Sequence, residues 1–163
     1  MSARGLLIGL LLLPCWSYAQ EPAPEILFET ALFDLDDQPA TLARFRGKPL
    51  VVNFWARWCG PCRTEIPDLI AERARAKKTG LQVVGIALDD KPDSVRSFAK
   101  AYDIDYTVLL VKDGGTDLLR QLDNPQAGLP YTLVISRSGK VVARKLGPMS
   151  RAEMAAAFKA ANK

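Results

Sequence analysis

Short apolar runs alternate with amphipathic stretches along the chain, and this alternation predicts strands and helices in turn. The apolar runs are rich in β-branched residues, which is typical of buried strands. The predicted strands are residues 50–55, 81–88 and 106–111. The stretches after them have the spacing of helices, at residues 61–78, 92–102 and 116–122. Pro67 lies inside the first predicted helix and is expected to kink it.

Two hairpins and a last helix complete the predicted elements. Period-2 alternation over residues 31–42, and a turn signal between residues 131–135 and 141–145, each predict a β-hairpin. Ser150 followed by Glu153 is a capping-box signature, so a closing helix is expected to run to residue 161. The fold class is therefore α/β, with a central mixed β-sheet flanked by helices on both faces.

The start of the chain is predicted to be an export signal. Residues 1–19 contain one positive charge, an apolar run and small residues at positions 17 and 19, so cleavage is expected after Ala19. A retained membrane anchor, or a lipoprotein acylated on Cys15, fits this pattern less well. Residues 20–30 would form an N-terminal lead and residues 31–163 the folded domain. Export implies an oxidising compartment, the periplasm.

The absence of histidine narrows the possible chemistry further. The 163 residues contain no His, which excludes Ser-His-Asp triads, Cys-His hydrolases and imidazole metal sites. The net charge of +4 is small and spread along the chain, so no nucleic-acid partner is expected. Catalysis would have to use thiols, carboxylates, amines or hydroxyls.

The cysteines point to redox chemistry. Cleavage after Ala19 removes Cys15 and leaves Cys59 and Cys62, which form one C-x-x-C pair. A disulfide across so short a loop adds little stability, and two thiols without His or a second Cys pair make a poor zinc site. A redox-active dithiol is therefore favoured over two buried structural thiols.

The dithiol is expected at the beginning of a helix. Strand 50–55 leads into Cys59, which would lie near the N-cap, where free backbone N–H groups and the helix dipole stabilise a thiolate. Arg57 and Arg63 are expected to add positive charge nearby. Cys62 lies one turn further along the helix and should be more buried. Cys59 is therefore predicted to attack a substrate, and Cys62 to resolve the product.

This arrangement resembles the thioredoxin superfamily. The resemblance is carried by residues 52–62 (VNFWARWCGPC), residues 128–132 (GLPYT) and Gly147 before the last helix. The early hairpin, Asn53, Glu65 and the long segment 88–122 are similar to the exported TlpA/ResA/CcmG (DsbE) branch. The resemblance implies a thioredoxin-like fold with an N-terminal β-hairpin and an inserted αβ segment.

The resemblance also implies roles for individual residues. Cys59 and Cys62 would be the catalytic pair, and Glu65 would accept the proton of Cys62 or raise the pKa of both thiols. Pro130 would be a cis-proline that leaves the backbone of Leu129 free to pair with a substrate strand. The other implied substrate-binding residues are Trp58, Gly60 and Pro61. No metal site is expected, and no cofactor beyond the redox-active Cys59–Cys62 disulfide.

These observations predict a periplasmic thiol–disulfide oxidoreductase that reduces disulfides of exported client proteins. The resemblance implies clients in cytochrome c maturation, copper-site assembly or methionine sulfoxide reductase recycling, with an upstream membrane thiol reductant. The protein is expected to be a monomer. An oxidase that forms disulfides would use the same C-x-x-C pair and is the main alternative. A copper-binding module is a second alternative, and the setting of Cys59 argues against a peroxidase.

Overall fold

The computed structural model describes residues 24–89 and 91–163. The predicted export signal over residues 1–19 lies outside these residues. Within them, no helix is both long enough and apolar enough to span a membrane.

Within the described residues, seven strands form one mixed sheet. In chain order they are β1 (Leu32–Phe33), β2 (Pro39–Ala40), β3 (Leu50–Trp55), β4 (Gln82–Ala87), β5 (Thr107–Leu110), β6 (Tyr131–Ile135) and β7 (Val141–Leu146). Their order across the sheet is β2-β1-β5-β4-β3-β6-β7. Strands β3, β4 and β5 are parallel, and the other neighbouring pairs are antiparallel. The predicted mixed sheet and both predicted hairpins are therefore confirmed.

In this described part of the chain, five α-helices cover the sheet. They are α1 (Glu25–Glu29), α2 (Gly60–Ala76), α3 (Pro92–Ala101), α4 (Gly115–Gln121) and α5 (Arg151–Ala161). Helices α1 and α4 pack on one apolar face of the sheet, and α2, α3 and α5 pack on the other. The inserted segment predicted at residues 88–122 forms α3, β5 and α4, and it places β5 between β1 and β4. The thioredoxin-like arrangement with helices on both faces is thus confirmed.

Strand β3 lies deep in the sheet, and all six of its residues are buried. It pairs with β4 on one side and β6 on the other, which explains its nearly continuous apolar sequence. Trp55 at its end is fully buried and stacks on Phe98 of α3, with ring centroids 5.0 Å apart. The strand therefore gives a rigid base to the loop that follows it.

The structure differs from the sequence analysis at the N-terminal lead. Residues assigned to the lead form α1, and its Leu27 and Phe28 are buried in the core. The guanidinium of Arg46 lies 4.3 Å from the Phe28 ring centroid and also pairs with Glu25. Burial of these two apolar side chains draws the segment onto the sheet, so the folded domain begins before residue 31.

The last helix begins as its sequence predicts. The Ser150 hydroxyl accepts a hydrogen bond from the Glu153 backbone N–H at 3.3 Å, and the Glu153 carboxylate accepts one from the Ser150 N–H at 2.8 Å. This reciprocal capping box satisfies two backbone donors at the start of α5. It fixes the position from which α5 packs on α2 and β7.

Candidate active site

The two cysteines of the C-x-x-C pair are joined in a disulfide at the beginning of α2. Their Cα atoms are 5.3 Å apart. Cys59 is the N-cap residue of the helix, and its Sγ accepts a hydrogen bond from the Cys62 backbone N–H at 3.2 Å. Gly60 and Pro61 form the first turn, where the missing N–H of proline costs no helical hydrogen bond. The predicted N-cap position of Cys59 is therefore confirmed.

The two sulfur-bearing residues differ in exposure. Cys59 is 5% exposed and Cys62 is 1% exposed, so the inner cysteine is the more buried, as predicted. The free N–H groups and the positive end of the helix dipole face Cys59, at the outer end of the helix. The geometry thus favours negative charge on Cys59 over Cys62.

Arg57 does not stand as a free charge beside the dithiol. Its guanidinium pairs with Asp89, at 3.0 Å from Nη2 to Oδ1, and its backbone N–H donates to the other carboxylate oxygen at 3.3 Å. The Asp89 side chain is only 6% exposed. The expected contribution of Arg57 to thiolate stability is therefore largely cancelled. Asp89 instead fixes the loop between β3 and α2, a role that sequence analysis did not identify.

A second loop carries the predicted cis-proline. The peptide bond between Leu129 and Pro130 is cis, as the resemblance implied. The Asn124 side chain closes this loop, donating to the Gly128 carbonyl at 2.8 Å and accepting from its N–H at 3.2 Å. Leu129 packs against the same apolar cluster that contains Cys59 and Cys62. Leu129 therefore contributes to the apolar layer on the face of the sheet that also holds the two cysteines.

An exposed apolar rim borders the dithiol and the cis-proline loop. Trp58 is 71% exposed, in the loop immediately before Cys59. Leu146 at the end of β7 is 47% exposed, and a Cβ atom added at Gly128 would lie 2.9 Å from its Cδ1. Sequence analysis missed Leu146, because it ended the last predicted strand at residue 145 and no local pattern shows that Leu146 lies against Gly128. With Leu129, these side chains form what we call the apolar rim: Trp58, Leu129 and Leu146.

Glu65 points into the core rather than into solvent. It is 4% exposed, so its carboxyl is enclosed by the protein. Burial raises the pKa of Glu65 to about 7, and the nearby Met149 backbone and Asn53 amide lower it only partly. Asn53 is itself held by its amide N–H, which donates to Thr132 Oγ1 at 2.9 Å. A buried carboxyl that titrates near neutral pH therefore lies one helical turn beyond Cys62.

Comparison with known proteins places the chain in a family. The family model described as Redoxin matches residues 19–160. The thiol:disulfide interchange protein HelX of Rhodobacter capsulatus is 36% identical over 115 residues, which cover 70% of this chain and 61% of HelX. The thiol-disulfide oxidoreductase ResA of Bacillus subtilis is 30% identical over 128 residues, 78% of this chain and 67% of ResA.

A solved structure agrees with these relatives. A secreted disulfide oxidoreductase of Mycobacterium tuberculosis, homologous to E. coli DsbE, superposes with a TM-score of 0.69 and 26% identity. The match covers 85% of this chain and 99% of that one. The chain therefore belongs to the Redoxin family and is a thiol–disulfide oxidoreductase of the ResA, HelX and DsbE type, with a thioredoxin-like fold.

Proposed function

We propose that the protein is an exported reductase that opens disulfide bonds in client proteins, with Cys59 as its nucleophile. The observation that carries this proposal is the N-cap position of Cys59, whose Sγ already accepts the Cys62 backbone N–H at 3.2 Å. In the reduced protein the same N–H and the helix dipole favour the thiolate, which is the attacking species.

The first step forms a mixed disulfide. The Cys59 thiolate attacks one sulfur of the client disulfide, the client S–S bond breaks, and the other client sulfur leaves as a thiolate that takes up a proton. Cys59 is then bonded to the client sulfur, and no net oxidation has occurred. Cys62 remains a reduced thiol, more deeply buried than Cys59.

The second step releases the client. The Cys62 thiol loses its proton to the Glu65 carboxylate, and the resulting thiolate attacks Cys59 Sγ. The bond between Cys59 and the client breaks, and the second client sulfur leaves as a thiolate that takes up a proton. The client has gained two electrons and two protons, and the protein holds the Cys59–Cys62 disulfide. A carboxyl with a pKa of about 7 suits this exchange near neutral pH.

The apolar rim and the cis-proline loop would hold the client during both steps. The Pro130 carbonyl accepts the Gly147 backbone N–H at 2.9 Å, which ties the loop to the end of β7. The Leu129 backbone is then placed to pair with an extended client strand, while Trp58 and Leu129 contact apolar residues beside the client cysteine. Gly60 adds no side chain next to Cys59, and Pro61 adds only its compact ring.

The proposed cycle also requires export of the protein and regeneration of its reduced dithiol. The signal-like sequence of residues 1–19 supports delivery to the periplasm, where a membrane thiol reductant would restore the dithiol. The dithiol itself stores the two electrons, so the cycle needs no bound cofactor. The protein would act as a monomer on clients of cytochrome c maturation, copper-site assembly or methionine sulfoxide reduction.

The reduction potential of the Cys59–Cys62 pair tests the direction of the reaction. The mature protein should be equilibrated with glutathione or dithiothreitol buffers, and its oxidised fraction read by alkylation and mass spectrometry. A potential near about −270 mV supports the reductase, and one near about −120 mV would make the protein an oxidase. Tight Cu(I) binding without disulfide exchange would instead indicate the copper-binding module.

A further inference from the structure

Exposed lysines and arginines that are spread along the sequence come together at one end of the fold. They lie in the turn before β3, at the end of α2, in the turn between β6 and β7, and at the end of α5. None of them forms an ion pair within residues 24–89 and 91–163. We call this group the basic end: Lys48, Lys77, Lys78, Arg137, Lys140 and Lys159.

Contacts between these segments make the basic end continuous. Lys48 and Arg137 line one cleft, whose volume is about 270 Å³. The Arg137 guanidinium also reaches Gly80, where an added Cβ atom would lie 3.9 Å from Nη2. The 3₁₀ turn Lys77–Thr79 directly precedes Gly80, and the end of this turn lines a second cleft together with Lys159.

The helix dipole explains only part of the basic end. Cations at the C-terminus of a helix are stabilised by its dipole, and this applies to Lys77, Lys78 and Lys159. Lys48 and Arg137 lie in turns beside strands, where the dipole of a helix gives no such stabilisation. Like charges repel, so an uncompensated cluster of cations costs folding stability.

The carboxylates near this end do not compensate its charge. Those that line its clefts are each already paired with an arginine outside the basic end: Glu25 with Arg46, Glu72 with Arg75 and Asp105 with Arg73. Glu29 acts on Arg46 as well. Within the described residues, the cations of the basic end therefore remain available to an anion from outside.

The basic end lies far from the dithiol. Helix α2 begins at Gly60, next to Cys59, and ends at Ala76, so its length of about 25 Å separates the two. Lys48 likewise precedes β3, whereas the loop that leads to Cys59 follows this strand. A surface that contacts the basic end would therefore leave the apolar rim free.

The cleft between Lys48 and Arg137 fits a phospholipid better than a purely polar anion. Beside these cations it is lined by the apolar side chains of Phe28, Phe45 and Ile135. A phospholipid combines an anionic phosphate with apolar acyl chains, so it matches both parts of this lining.

We propose that the basic end docks the mature protein on an anionic phospholipid membrane, with the dithiol facing away from the lipid. Each lysine or arginine close to such a surface adds to the binding. Helix α1 lines the same cleft, so the chain that follows the predicted export signal enters the fold at the end that meets the membrane. The docking does not depend on the direction of thiol–disulfide exchange, and it goes beyond the proposed function.

Vesicle sedimentation tests the docking with the mature wild-type protein, residues 20–163. Vesicles of equimolar phosphatidylglycerol and phosphatidylcholine should bind the protein, and vesicles of phosphatidylcholine alone should not. Binding should weaken roughly tenfold or more when the ionic strength rises from about 0.01 M to about 0.15 M, because the Debye length falls from about 30 Å to about 8 Å. Equal binding to both kinds of vesicle, or binding to neither, would overturn the proposal.

Variants in two separate segments test whether the basic end is the contact. Lys48→Gln combined with Arg137→Gln should weaken vesicle binding roughly thirtyfold, since each cation near an anionic membrane contributes roughly fivefold. Lys77→Gln combined with Lys78→Gln should cause a loss of similar size, because both pairs belong to one surface.

The matched control removes the same charge at the other end of the molecule. Arg63 lies in the first turn of α2 and Lys91 immediately precedes α3, and both side chains are exposed. Arg63→Gln combined with Lys91→Gln should change vesicle binding by no more than about twofold. Equal losses in all three double variants would mean that only net charge matters, and the proposed surface would be wrong.

Tryptophan fluorescence tests the orientation on the membrane. Trp58 is 71% exposed in the apolar rim, so it should stay accessible to acrylamide and should not be quenched by brominated phospholipids. Comparison with Trp58→Phe isolates its signal from that of buried Trp55. Quenching of Trp58 by brominated lipid would show that the apolar rim enters the membrane, which contradicts the proposed orientation.

Two further measurements separate the docking from other functions. If Lys48→Gln with Arg137→Gln loses binding to heparin but keeps binding to vesicles, the surface recognises a soluble polyanion and the proposal fails. Vesicle-bound protein should reduce a model disulfide peptide as fast as free protein does, and loss of activity only on vesicles would contradict the orientation. Failure of the free protein to reduce the peptide would contradict the proposed function, while vesicle binding would still decide the docking.

Discussion

The two active-site cysteines differ because one caps the helix and the other lies within its first turn. Cys59 faces the free N–H groups at the start of α2, whereas Cys62 lies one turn inside the helix and is the more buried of the two. A thiolate is therefore favoured on Cys59 and disfavoured on Cys62. This difference defines an attacking thiol and a resolving thiol at the scale of single residues.

Selective alkylation measures this difference. When the reduced protein is treated with substoichiometric iodoacetamide, Cys59 should be labelled at least tenfold faster than Cys62, because only the thiolate reacts and only Cys59 is stabilised as one. Peptide mass spectrometry reads the ratio. Equal labelling, or faster labelling of Cys62, would reverse the assignment of roles.

Glu65 makes the stability of the protein depend on pH. Its pKa in the folded protein is about 7, against 4.5 for an ordinary glutamate, so between these values the folded state holds more protons than the unfolded chain. The free energy of unfolding therefore falls as pH rises through this window, by about 3 kcal/mol in total. Below a pH of 4.5, the ordinary pKa of glutamate, the protein keeps its full free energy of unfolding.

Glu65→Gln should remove this loss. Urea denaturation of the oxidised protein at about pH 8 should show the variant more stable than wild type by about 3 kcal/mol, with the gap nearly closed at about pH 4. Glu29→Gln on the exposed side of α1 is the control and should leave the wild-type pH dependence unchanged. A gap of constant size at both pH values would rule out titration of Glu65 as its cause.

At the scale of elements, most strands and helices follow from their own sequence. Strands β3 and β4 are apolar runs, and the structure ends them within about one residue of the predicted bounds. Helix α1 was missed because five residues are too few to show helical periodicity. Its Leu27 and Phe28 become buried only through contacts with the rest of the fold, which its own sequence does not contain.

The active-site residues also fall into two groups, those that local motifs predict and those that only the fold brings together. Cys59, Cys62 and Pro130 lie in recognisable motifs, so their placement could be predicted. The burial of Glu65 depends on the loop before α5, which lies far away along the chain. The pairing of Arg57 with Asp89 joins residues 32 positions apart, at neighbouring ends of two parallel strands. Such contacts depend on topology, and local patterns do not specify them.

The capping box of α5 gives a test at the scale of one element. Ser150→Ala removes the acceptor for the Glu153 N–H and should lower the free energy of unfolding by about 1 kcal/mol. Ser150→Asn keeps a capping side chain and should lose much less. Urea denaturation followed by circular dichroism measures both variants. Equal losses for Ala and Asn would contradict a capping role.

At the scale of the whole molecule, the proposed function assigns to the apolar rim around Cys59 the selection of clients. The rim residues come from three separate parts of the chain: Trp58, Leu129 and Leu146. Under the proposed function, a client would bring both a disulfide and an adjacent extended apolar segment. The partner is best identified by stopping the reaction at its covalent intermediate.

Cys62→Ala should trap the client. Cys59 can still attack, but no second thiol in the mature protein releases the product, so a mixed disulfide should accumulate in the native periplasm and dissociate with dithiothreitol. Mass spectrometry of the adduct would distinguish an apocytochrome, a copper-site protein and a sulfoxide reductase. Cys59→Ala is the matched control and should trap far less. Equal trapping by both variants would contradict the two-step exchange.

The pairing of β3 with β6 makes the active site a late product of folding. Asn53 and Thr132, which hydrogen bond across these strands, are 79 residues apart in the chain. Closing so long a loop carries a large entropic cost before any contact repays it, and high contact order slows folding. A newly made chain therefore carries both cysteines before the strand that follows Pro130 pairs with β3. The long separation between Asn53 and Thr132 along the chain therefore delays the formation of the proposed client site during folding.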